Sequence, residues 1–229
     1  MIFKTMDIFS SKVLIIGICG RKGAGKDTLT SFFPSFYPNT ASLAFATEVR
    51  ERAAKALCYG GIENMFANQK EVSKLISSHE DILHKFLSRD KVSVNGVDIE
   101  LKELFRPFIV SFGQTFKTLH GEDIWIKKWE NRVSNMPAKP GYNLIVIPDL
   151  RFQSEYDWLK KLGGKVVKVI WPDDPTEIDD NPSEKEHLNF ECDFDIINFR
   201  EYDKLYNDFS ENLKPMIDTW INERAESGF

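Results

Sequence analysis

Val13 to Ile18 is an unbroken apolar run of strand length, the pattern of a strand buried on both faces of a parallel sheet. A glycine-rich segment follows at once. Leu29, Phe32, Phe33 and Phe36 then recur at helical spacing, so the opening order is strand, loop, helix, with Pro34 expected to end or kink that helix early. Ser42 to Phe45 predicts a second short strand, and Val49, Ala53, Ala56 and Leu57 the helix after it. Val72, Leu75, Ile76, Ile82, Leu83, Phe86 and Leu87 fit one longer amphipathic helix. Val92 to Ile99 alternates around Asn95-Gly96, a strong hairpin signal, and reads as a small insertion between helices. Phe105, Phe108, Ile109, Phe112, Phe116 and Leu119 mark a helix with Pro107 in its first turn. Ile124, Trp125, Trp129 and Val133 mark another.

Beyond a proline- and glycine-containing connection at Met136 to Tyr142, Leu144 to Ile147 is a second buried-strand run ending at Pro148-Asp149. A helix through Phe152, Tyr156, Leu159 and Leu162 stops at Gly163-Gly164. Val166 to Ile170 is a third strand, Pro172 to Ser183 a long polar loop, and Phe194 to Ile197 a last strand. Tyr202, Leu205, Tyr206, Phe209, Leu213, Met216, Ile217 and Trp220 make a closing helix. Alternating strands and helices predict an α/β fold, a parallel sheet of about five strands covered by helices. The expected organisation is one domain over residues 1–229. Its core spans about 11–60 and 141–229, with a helical and β-hairpin insertion over about 61–135.

Composition narrows the classes. A hydrophobic fraction of 42% with 28% charged residues is globular. The formal charge of −5 argues against a nucleic-acid polymer as partner, so any basic site is local. Cys19, Cys58 and Cys192 lack metal-type spacing and read as reduced thiols. No apolar run approaches the ~18 residues that span a bilayer, and Met1 to Ser11 lacks the features of a signal peptide. The expectation is a cytoplasmic protein.

The glycine-rich segment is Gly20-Arg21-Lys22-Gly23-Ala24-Gly25-Lys26-Asp27-Thr28. Glycines let a backbone turn tightly round an anion, converging N–H groups and a helix N-terminus bind it, and a lysine reaches the outer phosphates. Gly20, Gly25 and Lys26 stand at P-loop spacing, between a buried strand and a helix. Asp27 replaces the usual magnesium-binding hydroxyl and Thr28 follows it, a pattern frequent among nucleoside monophosphate kinases; the alternative is that Asp27 only caps or solvates the first helical turn.

In open parallel sheets ligands bind beyond the carboxyl ends of the strands. Asp149 and Arg151 fall there after one strand and Trp171 after the next. Asp149 suits magnesium or its water ligands, and Arg151 suits the phosphoryl group in transfer. The alternatives are a helix cap for Asp149, an ion pair with Glu155 for Arg151, and plain core for Trp171. Glu184 and Glu186 fit a solvated helix start with Ser183 in a capping box. His79, His84, His120 and His187 are read as structural. A phosphate acceptor is already ionised near neutrality, with a second pKa of ~6, so no general base is required.

These residues, in their order, resemble the bacteriophage deoxynucleoside monophosphate kinases. The matching stretches are Gly25-Lys26-Asp27-Thr28, Arg106 leading into Phe112-Gly113-Gln114, and Gly121-Glu122-Asp123-Ile124-Trp125. They continue through Ile145-Val146-Ile147-Pro148-Asp149-Leu150-Arg151-Phe152 with Glu155, Gly163-Gly164, Ser183-Glu184 and Asp195-Ile196-Ile197-Asn198, spanning most of residues 13–200. The resemblance implies a nucleoside monophosphate kinase-like fold and ATP- and Mg2+-dependent transfer of a γ-phosphoryl group to a dNMP. It implies a phosphate site of Gly20, Lys22, Gly23, Gly25, Lys26, Asp27 and Thr28, in which Lys26, Asp27 and Arg151 are catalytic and Asp27 and Asp149 face the metal. Arg106, Gln114, Lys117, Trp125, Asp149, Arg151, Trp171 and Glu184 would surround the dNMP. Val110-Ser111 and Lys117 depart from the Leu-Gln and arginine of similar proteins; lysine keeps the charge but not the guanidinium fork. A phage-encoded kinase would work in the host cytoplasm.

Two other readings stay open: a phosphomevalonate kinase-like small-molecule kinase, and a P-loop module that senses or hydrolyses nucleotide. The closing helix carries Tyr202, Phe209 and Trp220 on one face, more often core than dimer interface, which leaves a homodimer open.

Overall fold

A computed structural model describes residues 13–60, 79–94, 96–136, 144–172 and 182–226. In chain order its elements are β1 (Leu14–Cys19), α1 (Lys26–Phe36), β2 (Thr40–Ser42), α2 (Phe45–Gly60), α3 (His79–Leu87), β3 (Lys91–Val94), β4 (Val97–Glu100) and α4 (Leu101–His120). There follow α5 (Ile124–Ser134), β5 (Leu144–Ile147), α6 (Gln153–Lys161), β6 (Lys165–Ile170) and α7 (Pro182–Lys185), which runs into a 3-10 turn at Glu186–Asn189. The chain then forms β7 (Phe194–Ile197), α8 (Tyr202–Asp208), a π-helical segment Phe209–Leu213, and α9 (Lys214–Glu226). Two compact units result: Met1–Phe45 with Ile126–Phe229, and Ala46–Trp125.

The first unit is built on a parallel sheet of order β2-β5-β1-β6-β7. β1 is central and buried throughout, as its continuous apolar run requires. Its side chains alternate between two cores. Leu14, Ile16 and Ile18 pack with Leu29, Phe32 and Phe33 of α1 and with Phe209, Leu213 and Trp220 of the closing helices. Val13, Ile15 and Cys19 pack on the opposite face with Phe45, with Trp129 and Val133 of α5, and with Leu159 of α6. The chain leaves β1 towards β5 and β2 on one side and towards β6 and β7 on the other, so the crevice at a topological switch point opens where β1 ends, at Cys19.

The second unit has its own core of Ala53, Ala54, Leu57, Ile82, Phe86, Leu101 and Phe105. The hairpin forms as the Asn-Gly signal predicts, with Val94 opposite Val97 and Gly96 at φ 81°; Asn95 lies outside the described residues.

Several local expectations are corrected. α1 runs through Pro34 and ends two residues later at Phe36, because Pro34 is exposed and the ladder resumes with Tyr37 N–H donating to the Phe33 carbonyl at 2.8 Å. The second strand lies at Thr40–Ser42, and Phe45 already begins a helix. Pro107 stands in the second turn of α4, not the first. The reason is the hairpin base, where the amides of Leu101 and Lys102 find the carbonyls of Asp90 (2.8 Å) and Ser88 (3.1 Å), so the helix starts sooner than local signals suggest. Ala56 and Leu87 are exposed despite their helical register, and Tyr202 is exposed beside buried Phe209 and Trp220. Val72 to Ile76, most of the Met136–Tyr142 connection and most of the Pro172–Ser183 loop lie outside the described residues. Among the described residues no helix is long and apolar enough to cross a membrane.

Candidate active site

The segment after β1 wraps back on the carboxyl edge of the sheet. Gly20, Gly23 and Gly25 all have positive φ, and Gly25, at 99°, is the residue from which α1 springs without a side-chain cap. A Cβ on Gly20 would run into the Val169 carbonyl of β6, so only glycine lets the loop leave the sheet there. As at any helix start, the first amides of α1 have no intrahelical carbonyl, and they carry the positive end of the helix dipole. Ala24 is buried, whereas Lys22, Gly23 and Asp27 are exposed. Asp27 stands in the first turn of α1, where an acidic side chain suits the helix dipole.

Lys26 curls over the loop, its Nζ donating to the carbonyls of Gly20 (2.6 Å) and Arg21 (2.7 Å). Burial, followed by repulsion from Arg151, lowers its pKa from 10.5 to about 8, against partial compensation from Glu184 and Asp27. The ammonium is thus held in a site short of negative charge.

The turn after β5 is tied to the end of β1 by Leu150 N–H on the Ile18 carbonyl at 3.1 Å. On one side of this tie, Asp149 accepts the N–H of Phe45, the first residue of α2, through Oδ1 at 2.9 Å. On the other, Arg151 Nη1 donates to Glu184 Oε1 at 2.8 Å. Glu184 is buried, and its Oε2 accepts the backbone N–H of Lys22 at 3.2 Å. One carboxylate from α7 therefore joins Arg151 to the glycine-rich loop. Reading Glu184 as part of a solvated helix start is corrected by that burial. Glu186 stays partly exposed, and its carboxylate also accepts Gln153 N–H at 2.7 Å, at the head of α6. Glu155 binds the amides of Arg151 (2.9 Å) and Phe152 (3.1 Å), not the Arg151 guanidinium.

At the ends of β6 and β7, Trp171 lies under the Arg200 guanidinium, 3.6 Å from its ring centroid. Arg200 holds a left-handed backbone, φ 65°, unusual for a residue with a side chain. Asn198, buried between it and the loop, accepts Arg200 N–H at 2.9 Å and donates to the Ala24 carbonyl at 2.7 Å. Asn198 had appeared only as part of a matching stretch; nothing local in Ile197-Asn198-Phe199 marks it as a loop contact.

The remaining sequence-predicted site residues belong to the second unit. Arg106 and Lys117, eleven positions apart, share one face of α4, while Gln114 is exposed on the same helix. Lys117 is buried and pairs with Glu122 at 3.5 Å. Trp125 is buried, donating to the Gly113 carbonyl at 3.2 Å and stacked on Phe116.

Two features carried no sequence signal. His187 is buried, with neither ring nitrogen hydrogen-bonded among the described residues, and burial, reinforced by Lys26, lowers its pKa to about 4. Cys19, the residue before Gly20, has its Sγ 3.8 Å from that of Cys192, across 173 positions of sequence.

Among the described residues, then, a glycine-rich loop after the central parallel strand, a lysine at the head of the following helix and an arginine at the neighbouring strand end define an α/β protein of the P-loop kinase fold class. The chain is similar to a protein of Acanthamoeba polyphaga mimivirus named "Putative deoxynucleotide monophosphate kinase", 24% identical over 196 residues, which covers 85% of this chain and 93% of that protein. This family-level likeness agrees with the resemblance to deoxynucleoside monophosphate kinases drawn from the motifs. No family model matches the chain.

Proposed function

We propose that the chain is a deoxynucleoside monophosphate kinase, transferring the γ-phosphoryl group of ATP to a dNMP to give dNDP and ADP. The observation that carries this reading is the bridge Lys22 N–H···Glu184···Arg151, which ties a strand-end arginine to the phosphate loop holding Lys26. Phosphoryl transfer to a phosphate oxygen asks for alignment and charge neutralisation rather than a base. Lys26 and the amides of the Gly20–Thr28 segment grip the donor phosphates, drawing the ammonium from the carbonyls it now holds. Arg151 faces the group in flight, where its charge counts most as negative charge spreads over the equatorial oxygens.

Among the described residues no three His, Cys, Asp or Glu side chains form a cage for a metal. Magnesium held mainly by phosphates with one or two protein oxygens fits this donor set: Asp27, exposed at the loop, would supply a carboxylate and Thr28 a hydroxyl, with the Asp149 carboxylate near the water ligands. Bound there, the ion neutralises the donor phosphates. On this reading Arg106, Gln114, Lys117 and Trp125 of the second unit serve the acceptor, the role that the motif resemblance implies for them.

A coupled ADP-release assay over all eight nucleoside and deoxynucleoside monophosphates tests the reading. Turnover with one or more dNMPs, abolished by K26A in a folded protein, is expected. Labelling of mevalonate phosphate from radiolabelled ATP without labelling of any dNMP, or ATP hydrolysis indifferent to every monophosphate, would overturn it.

A further inference from the structure

The phosphate loop departs from ordinary backbone geometry at three positions, Gly20, Gly23 and Gly25. Such a loop costs conformational entropy to order, and it persists in one shape only if its surroundings over-determine it. Most of its bonds come from nearby residues: Ala24 N–H reaches the Arg21 carbonyl at 3.2 Å, Leu29 N–H the Gly25 carbonyl at 2.9 Å, and Lys26 the carbonyls of Gly20 and Arg21. Among the described residues, two side chains from far along the chain also bond to it. One is Glu184 on Lys22 N–H. The other is Asn198 Nδ2 on the Ala24 carbonyl, and it is buried.

Asn198 is itself fixed from three directions. Its backbone N–H donates to the Ile170 carbonyl at 2.7 Å, continuing the β6–β7 pairing past the strand end. Its Oδ1 accepts Arg200 N–H. Its Nδ2 lies where a Cβ on Gly25 would be, so the amide presses on the loop at the residue that starts α1. The orientation of the side-chain amide follows from these partners: a flipped amide would set oxygen against the Ala24 carbonyl and NH2 against the Arg200 N–H.

We infer that Asn198 is a positioning residue for the phosphate loop, holding the Ala24 carbonyl outward so that the neighbouring amides of Gly25 and Lys26 converge on a triphosphate. This rests on reading residues 20–28 as the nucleotide site. A peptide unit has its N–H and C=O on opposite sides, so a bond that fixes the Ala24 carbonyl also fixes the direction of the Gly25 N–H. Asn198 has no need to touch nucleotide to govern how tightly it is held. Through Arg200 the same side chain also sets the backbone that lays the guanidinium on Trp171.

N198D separates these two duties. The carboxylate still accepts Arg200 N–H but cannot donate to Ala24, and it faces that carbonyl with like charge. The assay is the KM for ATP and for the best dNMP acceptor, with the Kd of ATP by calorimetry, in wild type, N198D, N198A and K26A. N198D and N198A are both expected to raise KM and Kd for ATP about tenfold or more, the range for leaving a buried carbonyl unpaired, with the acceptor KM unchanged. A merely structural loss lowers the thermal midpoint and the amount of active enzyme without moving either KM. N198A introduces no charge and carries the same expectation if the buried carboxylate of N198D prevents folding. Wild-type ATP affinity in both variants would overturn the inference, as would impairment in N198A beside a folded N198D of wild-type affinity, which would trace the effect to Arg200. The underlying reading fails separately, by absence of ATP binding in wild type or by full affinity in K26A.

Discussion

Lys26 gives the sharpest prediction, because its burial makes ATP affinity depend on pH in a window where the ligand does not titrate. In the free protein its pKa is about 8 instead of 10.5, which corresponds to a penalty of about 3 kcal/mol on the charged form. A triphosphate supplies the negative charge the site lacks and restores the proton. Only the charged fraction of free protein is then competent, and the apparent Kd rises as that fraction falls. At pH 9 about one molecule in eleven carries the charge, so affinity should be about tenfold weaker than at pH 7, or roughly 1.4 kcal/mol. Calorimetry of a non-hydrolysable ATP analogue from about pH 6.5 to about pH 9.5 reads this directly, and proton uptake on binding should rise from about half a proton at pH 8 to close to one by pH 9. K26M should bind weakly and without that pH dependence; K26R, always charged, should also be flat.

The stability of the ligand-free protein should move the other way. A lysine with a folded pKa below its unfolded one means that the unfolded chain binds more protons between about pH 8 and 10.5, so this group's contribution to stability rises with pH across that window and is absent below it. An ATP affinity constant up to pH 9.5, or an identical decline in K26M, would refute the placement of Lys26 as a buried ligand for the donor phosphates.

Three other outcomes follow from the same region. E184A removes the carboxylate shared by Arg151 and the Lys22 amide, and should lower stability by about 1–3 kcal/mol in denaturant unfolding, the pair being partly open to solvent; E184Q, which keeps an acceptor, should lose less. His187 has a folded pKa of about 4 against about 6.5 unfolded, so its contribution to stability is complete above pH 6.5 and falls as pH drops towards 4, by up to about 3 kcal/mol; H187F should flatten the thermal midpoint over that range, and an unchanged slope would contradict the assignment. Cys192, whose thiol is pulled below its usual range chiefly by the hydrogen bond with Cys19 and further by Lys168, should cross-link to Cys19 under a mild thiol oxidant, seen by mass spectrometry as the loss of two hydrogens and absent in C192S.

Much of this protein was legible in the residues because the signals involved are local. A strand buried on both faces has no polar position to interrupt it, so β1 and β5 stood out as apolar runs, and Asn95-Gly96 announced its hairpin through the φ > 0 geometry its turn demands. The glycine-rich loop was visible for the same reason: its glycines answer to backbone angles, and its lysine to a spacing of a few residues. Pro34 and Pro107 misled because helix limits depend on bonds beyond the proline: Tyr37 N–H on the Phe33 carbonyl carries α1 past Pro34, and the hairpin base starts α4 a turn before Pro107. The partners of the site residues were not legible at all. Arg151 pairs with Glu184 rather than nearby Glu155, Asn198 reaches Ala24 across 174 positions, and Cys19 meets Cys192 across 173. Local signals in the residues thus specify the fold class and the glycine-rich loop with its lysine. Only the tertiary structure decided what holds the loop in shape, because the parallel sheet brings the ends of β1, β5, β6 and β7 to one edge, and no spacing along the chain records which side chains meet there.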